Sequence, residues 1–179
     1  MEKIDAVVLG PKWQPVYTTC IASNNEEAIN EAETDGADVK VFTDGSCRDG
    51  HVGAAAVLYR GGTENQVVKL YMGTENEHTV FKAELAAAAR GSKLLNMELD
   101  TRFTIALDNQ AAIQTTRREK MISGQYLVNA LHHQADGITR FTPGKNITLR
   151  WVSGNKGVAG NKRADEEAKA AAAGGATSE

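Results

Sequence analysis

From Val39 onward the apolar and polar positions change period in a regular order, and the period decides the element. Val39–Asp44 is an apolar run that reads as a strand. Val52–Arg60 reads as a second, its alanines making it flat and close-packed, and Gln66–Met72 as a third. Gly61 and Gly62 supply a turn, so these three are expected as an antiparallel meander. From Thr79 to about Met97 the period becomes helical, with Val80, Phe81, Leu85, Ala88 and Leu95 on one stripe. Phe103, Ile105 and Leu107 alternate with Thr104 and Ala106 as a fourth strand, and Ile147–Val152 is a fifth. Gln110–Thr116 and Gln125–Gln134 read as helices between them. Lys162–Ala173 is a final alanine-rich helix for which Asn161 is placed as the cap. The order βββ-α-β-α-α-β-α predicts an α/β fold: a five-stranded mixed sheet covered by helices on both faces.

Residues 1–39 have another character. Lys3–Leu9 reads as a short strand, Pro11 and Pro15 break it, and Asn24–Ala32 reads as an acidic helix capped near Ser23 or Asn24. Gly36-Ala37-Asp38 reads as a linker. The expected organisation is an acidic arm over 1–39, one domain over 40–173 and a disordered tail over 174–179. The arm holds Lys3 and Lys12 against eight acids, whereas the remainder holds 18 basic and 15 acidic residues. The net charge of −3 therefore hides a main domain with a modest basic surplus, as expected of a phosphate-backbone binder. No apolar run is long enough to cross a bilayer, and no signal-peptide core opens the chain. Cys20 and Cys47 make no disulfide framework, which sets an intracellular location, nucleus or cytoplasm, as the expectation.

Four acids stand in telling places. Asp44 closes the first strand and opens what reads as a tight Asp-Gly turn, and Asp108 closes the fourth strand. Glu84 lies inside a helix, and Asp165 follows Gly160-Asn161-Lys162-Arg163-Ala164. Taken singly, each has a bland explanation as a turn residue, a solvated helix position or a partner of the helix dipole. Taken together, Asp44 and Asp108 interrupt apolar strands where a carboxylate is costly. If those strands are parallel neighbours, both carboxylates emerge at the same edge of the sheet, where α/β proteins place ligands. Carboxylates are the ligands that hard divalent cations such as Mg²⁺ or Mn²⁺ prefer, so metal-dependent phosphoryl transfer is the expected chemistry.

The strings Phe42–Ser46, Ala83-Glu84-Leu85, Leu107–Gln110 and Trp151–Gly154 through Gly160–Asp165 resemble type 1 ribonuclease H in order and spacing. The resemblance covers residues 40–173, about three quarters of the chain. Glu77–Leu85 and Asp108–Ile113 are most similar to the ribonuclease H domain fused behind the reverse transcriptase of eukaryotic non-LTR retrotransposons. On that resemblance the acidic arm is the connector from an upstream polymerase. It implies cleavage of the RNA strand of an RNA–DNA hybrid, with Asp44, Glu84, Asp108 and Asp165 as ligands of two Mg²⁺ or Mn²⁺ ions. It also implies that Gly45, Ser46, Gln110 and Asn161 meet the hybrid and that Thr79 lies in a phosphate pocket on the DNA-strand side. The bacterial basic protrusion is absent. One departure concerns Asn155, which stands where the family has a histidine. Asparagine orients water or phosphate by hydrogen bonds but relays no proton, so slowed cleavage is expected.

Other residues invite weaker readings. His132 and His133 are adjacent on a helix and cannot converge on one ligand, and His51 sits beside a turn. Cys47 reads as a small packed or backbone-proximal residue rather than a nucleophile, and Trp151 as core; Gly154–Gly157 lacks the ending of a phosphate loop. Two rivals to the nuclease remain open: a module of the same fold that binds hybrids or a partner protein without cleaving, and a DNA-directed enzyme. The chain is expected to act as a monomer without membrane association.

Overall fold

The computed structural model describes residues 14–118, 122–142, 144–154 and 157–174. The elements run β1 (Thr18–Cys20), α1 (Asn25–Thr34), β2 (Val39–Arg48), β3 (His51–Arg60), β4 (Thr63–Thr74) and α2 (Val80–Leu94). A 3₁₀ turn (Leu95–Met97) follows, then β5 (Arg102–Leu107), α3 (Gln110–Thr115), α4 (Gln125–Phe141), β6 (Asn146–Trp151) and α5 (Ala159–Ala172).

The strands form one mixed sheet in the order β1-β6-β5-β2-β3-β4. As expected, β2, β3 and β4 are an antiparallel meander, and β5 and β6 run parallel to β2. The sheet has six strands rather than five, because Thr18–Cys20 pairs in parallel with Thr148–Arg150. Three residues are too few to show a period, so only the pairing reveals this strand.

Strand alternation sorts the core into two layers. Val39, Val41, Ile105, Leu107 and Leu149 face α2 and α4, where Leu85, Val128, Leu131 and Ala135 complete a single buried cluster. Phe42, Val57 and Ala106 face the other way, onto Ala164 of α5. Small residues bring the helices close. A Cβ at Gly53 would strike the backbone of Ala168 and Ala172, and one at Gly91 would lie 2.9 Å from Val41.

The described part of the arm joins the same body. Tyr17, Ala22 and Ala28 are buried in the larger cluster. Arg150 of β6 pairs with Glu31 at 2.6 Å and with Asp35 at 3.6 Å. Asn24 caps α1, its Oδ1 accepting from Glu27 N at 2.9 Å. The expected linker at Gly36 is a pinned crossing, since Asp38 accepts from Arg102 N, Nε and Nη2. The expected strand at Lys3–Leu9 lies outside the described residues, as do residues 175–179 of the tail.

Several further expectations change. The strand containing Asp44 does not end there: β2 stays paired with β3 through Arg48↔His51. The turn is at Asp49-Gly50, both with positive φ. Helix α4 continues seven residues past Gln134 to Phe141, its buried positions extending to Ile138. Asn161 is inside α5 rather than capping it; Val158 is the cap position and gives no side-chain bond. Cys47 is exposed, its thiol donating to Glu75 at 3.4 Å, and Val80 is 38 % exposed rather than part of the buried stripe.

Candidate active site

The parallel pairing of β2 with β5 ends at Thr43↔Leu107, so Asp44 and Asp108 stand side by side one residue beyond it. Both continue the face that carries Phe42 and Ala106. Glu84 arrives from the second turn of α2. It gets there because residue 45 is glycine: a Cβ at that position would lie 2.6 Å from Glu84 N and 2.8 Å from Ala83 Cβ. Gly45 thus serves a close approach, and the Asp-Gly pair that reads as a turn is an extended strand.

One carboxylate oxygen from each of Asp44, Glu84 and Asp108 lies within 4.8 Å of the others. Asp44 and Glu84 are buried and Asp108 half-buried. Burial, reinforced by the charges of Asp108 and Asp165, pushes Asp44 up to about 7. Burial, with Asp44 and Asp108 beside it, pushes Glu84 up to about 9. Asp108 is also raised, chiefly by burial and then by Asp165, against the bond from Asn161. Three acids brought together against their own repulsion are held there by the fold, since no cation of the described residues is bonded to any of the three.

Asp108 is held most elaborately. Trp151 Nε1 donates to its backbone carbonyl at 3.0 Å, and Asn161 Nδ2 reaches Oδ2 at 3.5 Å. Gly154 packs against the carboxylate, where a Cβ would come within 2.6 Å of Oδ2. Asn109 then caps α3, accepting from Ala112 N at 3.1 Å.

The fourth expected ligand stands apart. Asp165 is on the second turn of α5, near enough to raise Asp44 and Asp108 but outside their cluster, and its Oδ2 is bonded to Lys169 Nζ at 2.7 Å. Among the expected substrate positions, Ser46 is buried on the same face of β2 as Asp44, and Gln110 opens α3 half-buried beside Asp108. Thr79 is exposed and caps α2, accepting from Lys82 N at 3.2 Å. Asn161 is 1 % exposed and turned onto Asp108. Asn155 lies outside the described residues. His132 is engaged elsewhere, its Nε2 on Thr116 O at 2.9 Å and its ring against Tyr17. Lys169 escaped the sequence reading, although its four-residue spacing from Asp165 on a helix was there to be read.

The donor set fits a divalent cation. It is all oxygen and all carboxylate, and each acid binds protons more readily than in water, as expected where positive charge is wanting. Glu84 Oε2 is buried with no hydrogen-bond partner among the described residues. A native protein leaves few such groups orphaned, and a cation held by these acids would satisfy this one.

Comparison with known proteins points the same way. The chain is 32 % identical over 139 residues to the ribonuclease H of Pseudomonas fluorescens, covering 72 % of this chain and 87 % of that protein. The structure resembles the N-terminal RNase H domain of a Mycobacterium tuberculosis protein with a TM-score of 0.63 and 20 % identity, over 78 % of this chain and 96 % of that one. It also resembles LC11-RNase H1 in complex with an RNA/DNA hybrid, with a TM-score of 0.58 and 19 % identity, over 76 % and 97 % of the two chains. The family model for RNase H matches residues 36–173, so the chain belongs to the ribonuclease H family of enzymes.

Proposed function

We propose that this protein hydrolyses the RNA strand of RNA–DNA hybrids endonucleolytically, at the cluster of Asp44, Glu84 and Asp108, with Asp165 as a fourth ligand. The observation that carries this reading is the convergence of three carboxylates from three elements within 4.8 Å, one oxygen buried and without a partner among the described residues. Two Mg²⁺ or Mn²⁺ ions bound there would supply the Lewis acidity that activates water and stabilises the leaving 3′-oxygen. The chain's own residues do the rest by position. Gly45 admits Glu84; Trp151 and Asn161 fix Asp108; Ser46 and Gln110 lie beside the cluster, where a hybrid's 2′-hydroxyls are to be read. Thr79, exposed at the start of α2, is placed to meet a phosphate of the DNA strand, with the helix N-terminus behind it. Asn155 orients water or phosphate where the family's histidine relays a proton, which slows turnover. The strings Glu77–Leu85 and Asp108–Ile113 support a retrotransposon-type variant with residues 1–39 as its connector to a reverse transcriptase.

The test is one incubation series. An end-labelled hybrid, single-stranded RNA and duplex DNA are each exposed to the protein in Mg²⁺, Mn²⁺ or EDTA, beside Asp44→Asn and Asn155→His. The expected result is metal-dependent cutting of the hybrid alone, lost in Asp44→Asn. Asn155→His is expected to raise the rate by about tenfold or more, toward the 10²–10⁴ that a positioned acid–base group supplies. Tight hybrid binding with no cutting in either metal would replace this reading with that of a binding module.

A further inference from the structure

Lys169 is a cation beside the candidate site, and the proposed mechanism gives it no role. Its ammonium bonds Asp165 Oδ2 at 2.7 Å from one helical turn away. Its charge reaches further, to Asp44, and Arg48 stands close enough to repel it. Asp165 is the acid that remains outside the cluster of Asp44, Glu84 and Asp108. Among the described residues the three clustered acids have no cation bonded to them, whereas Asp165 and Lys169 have side chains 35 % and 51 % exposed and are free to exchange partners with solvent ions.

We propose that Lys169 is a built-in competitor for the second divalent cation: it occupies Asp165 until an ion displaces it, and so separates the two ions in affinity. The inference rests on the metal-site reading above and adds to it. A first ion held by Asp44, Glu84 and Asp108 would displace no ion pair of the described residues. A second ion, needing Asp165, breaks the bond to Lys169 before gaining that ligand. Lys169 is a positioning residue here, acting through Asp165. An exposed helix pair of this kind is ordinarily only a minor stabiliser of its own helix. What distinguishes it is that its acid is the ligand left out of the cluster.

The experiment is a Mn²⁺ binding titration of the full chain without nucleic acid, following free Mn²⁺ by its paramagnetic signal. The parent protein is expected to bind in a tighter and a weaker phase. Lys169→Met moves the weaker phase to about two- to fivefold lower concentration, the range that an exposed pair's strength allows. Lys169→Arg restores the parent isotherm. Asp165→Asn removes the weaker phase, and adding Lys169→Met to it changes nothing more. Arg48→Met removes a nearby positive charge that has no bond to Asp165, and leaves the weaker phase less altered than Lys169→Met does. A Lys169→Met protein that titrates like the parent overturns the proposal, as does an Arg48→Met protein shifted equally, which reduces the effect to general charge. Those outcomes leave the metal site intact. Absence of saturable binding in the parent, or Asp44→Asn binding Mn²⁺ like the parent, overturns the site and with it the role of Lys169.

Discussion

At Asp44 and Glu84 the fold holds two carboxylates in surroundings that oppose their charge. Their proton affinities are raised in the folded state, to about 7 and about 9, so protonation favours folding. That contribution is complete below about pH 4, where unfolded carboxylates also protonate, and it is lost as pH rises through 7 and then 9. In EDTA the melting temperature is therefore expected to fall between pH 5 and pH 8.5. Asp44→Asn, which cannot ionise, should melt about 6 °C above the parent in EDTA at pH 8, equivalent to roughly 2 kcal/mol. Millimolar Mg²⁺ should raise the parent's melting temperature more at pH 8 than at pH 5, and should do little for the variant. Scanning calorimetry across pH checks all three, and a parent whose stability in EDTA rises toward pH 8.5 would contradict the assignment of these acids as the strained pair. The sequence made Asp44 and Asp108 legible because an acid that interrupts an apolar strand is conspicuous. It could not show that Trp151, 43 residues away, secures Asp108 through the backbone carbonyl, because nothing local marks such a bond.

Among the elements, the crossing of α2 over β2 decides whether the cluster exists. Ala83 and Glu84 rest on the bare backbone of Gly45. A methyl group there would push α2 outward, and overpacking of this sort costs about 1–3 kcal/mol. Gly45→Ala is expected to lower the melting temperature by about 3–10 °C. It should also reduce hybrid cleavage by about a hundredfold, the scale of a 1 Å misplacement in a catalytic constellation. Ser46→Ala, one residue on along the same strand, should leave stability nearly unchanged, which makes it the control in the melting assay; in the cleavage assay it tests the hybrid contact proposed for its hydroxyl. The helices and long strands were legible from their periods, down to the opening of α2 at Thr79. Two of the mistakes fell where side-chain chemistry was taken for local signalling. Asp-Gly at 44–45 looked like a turn, and Asn161 looked like a cap. Both residues are committed to tertiary partners that a linear pattern does not display.

For the molecule as a whole, the arm is not an accessory to a finished sheet. Tyr17, Ala22 and Ala28 are part of the main core, and Glu31 and Asp35 neutralise Arg150. Removal of residues 1–35 leaves the segment matched by the family model but is expected to cost about 4 kcal/mol, or roughly 10 °C in melting temperature. This integration was invisible in the acidic composition of the arm, because three residues of strand carry no period and the residues that bury it are scattered. β1 also does something for its neighbour that stability does not measure. Along Thr148–Arg150, where β1 pairs, β6 has no open hydrogen-bonding edge. Take β1 away, and the parallel side of the sheet ends on a bare six-residue strand, Asn146–Trp151, whose unsatisfied amides and carbonyls can recruit a strand from another chain. The truncated protein should accordingly show concentration-dependent association by size-exclusion chromatography while the full chain does not. Three residues of β1 are enough to close one side of β6 and too few to serve as a template themselves, so the first strand of this chain is, in effect, its guard against self-templating.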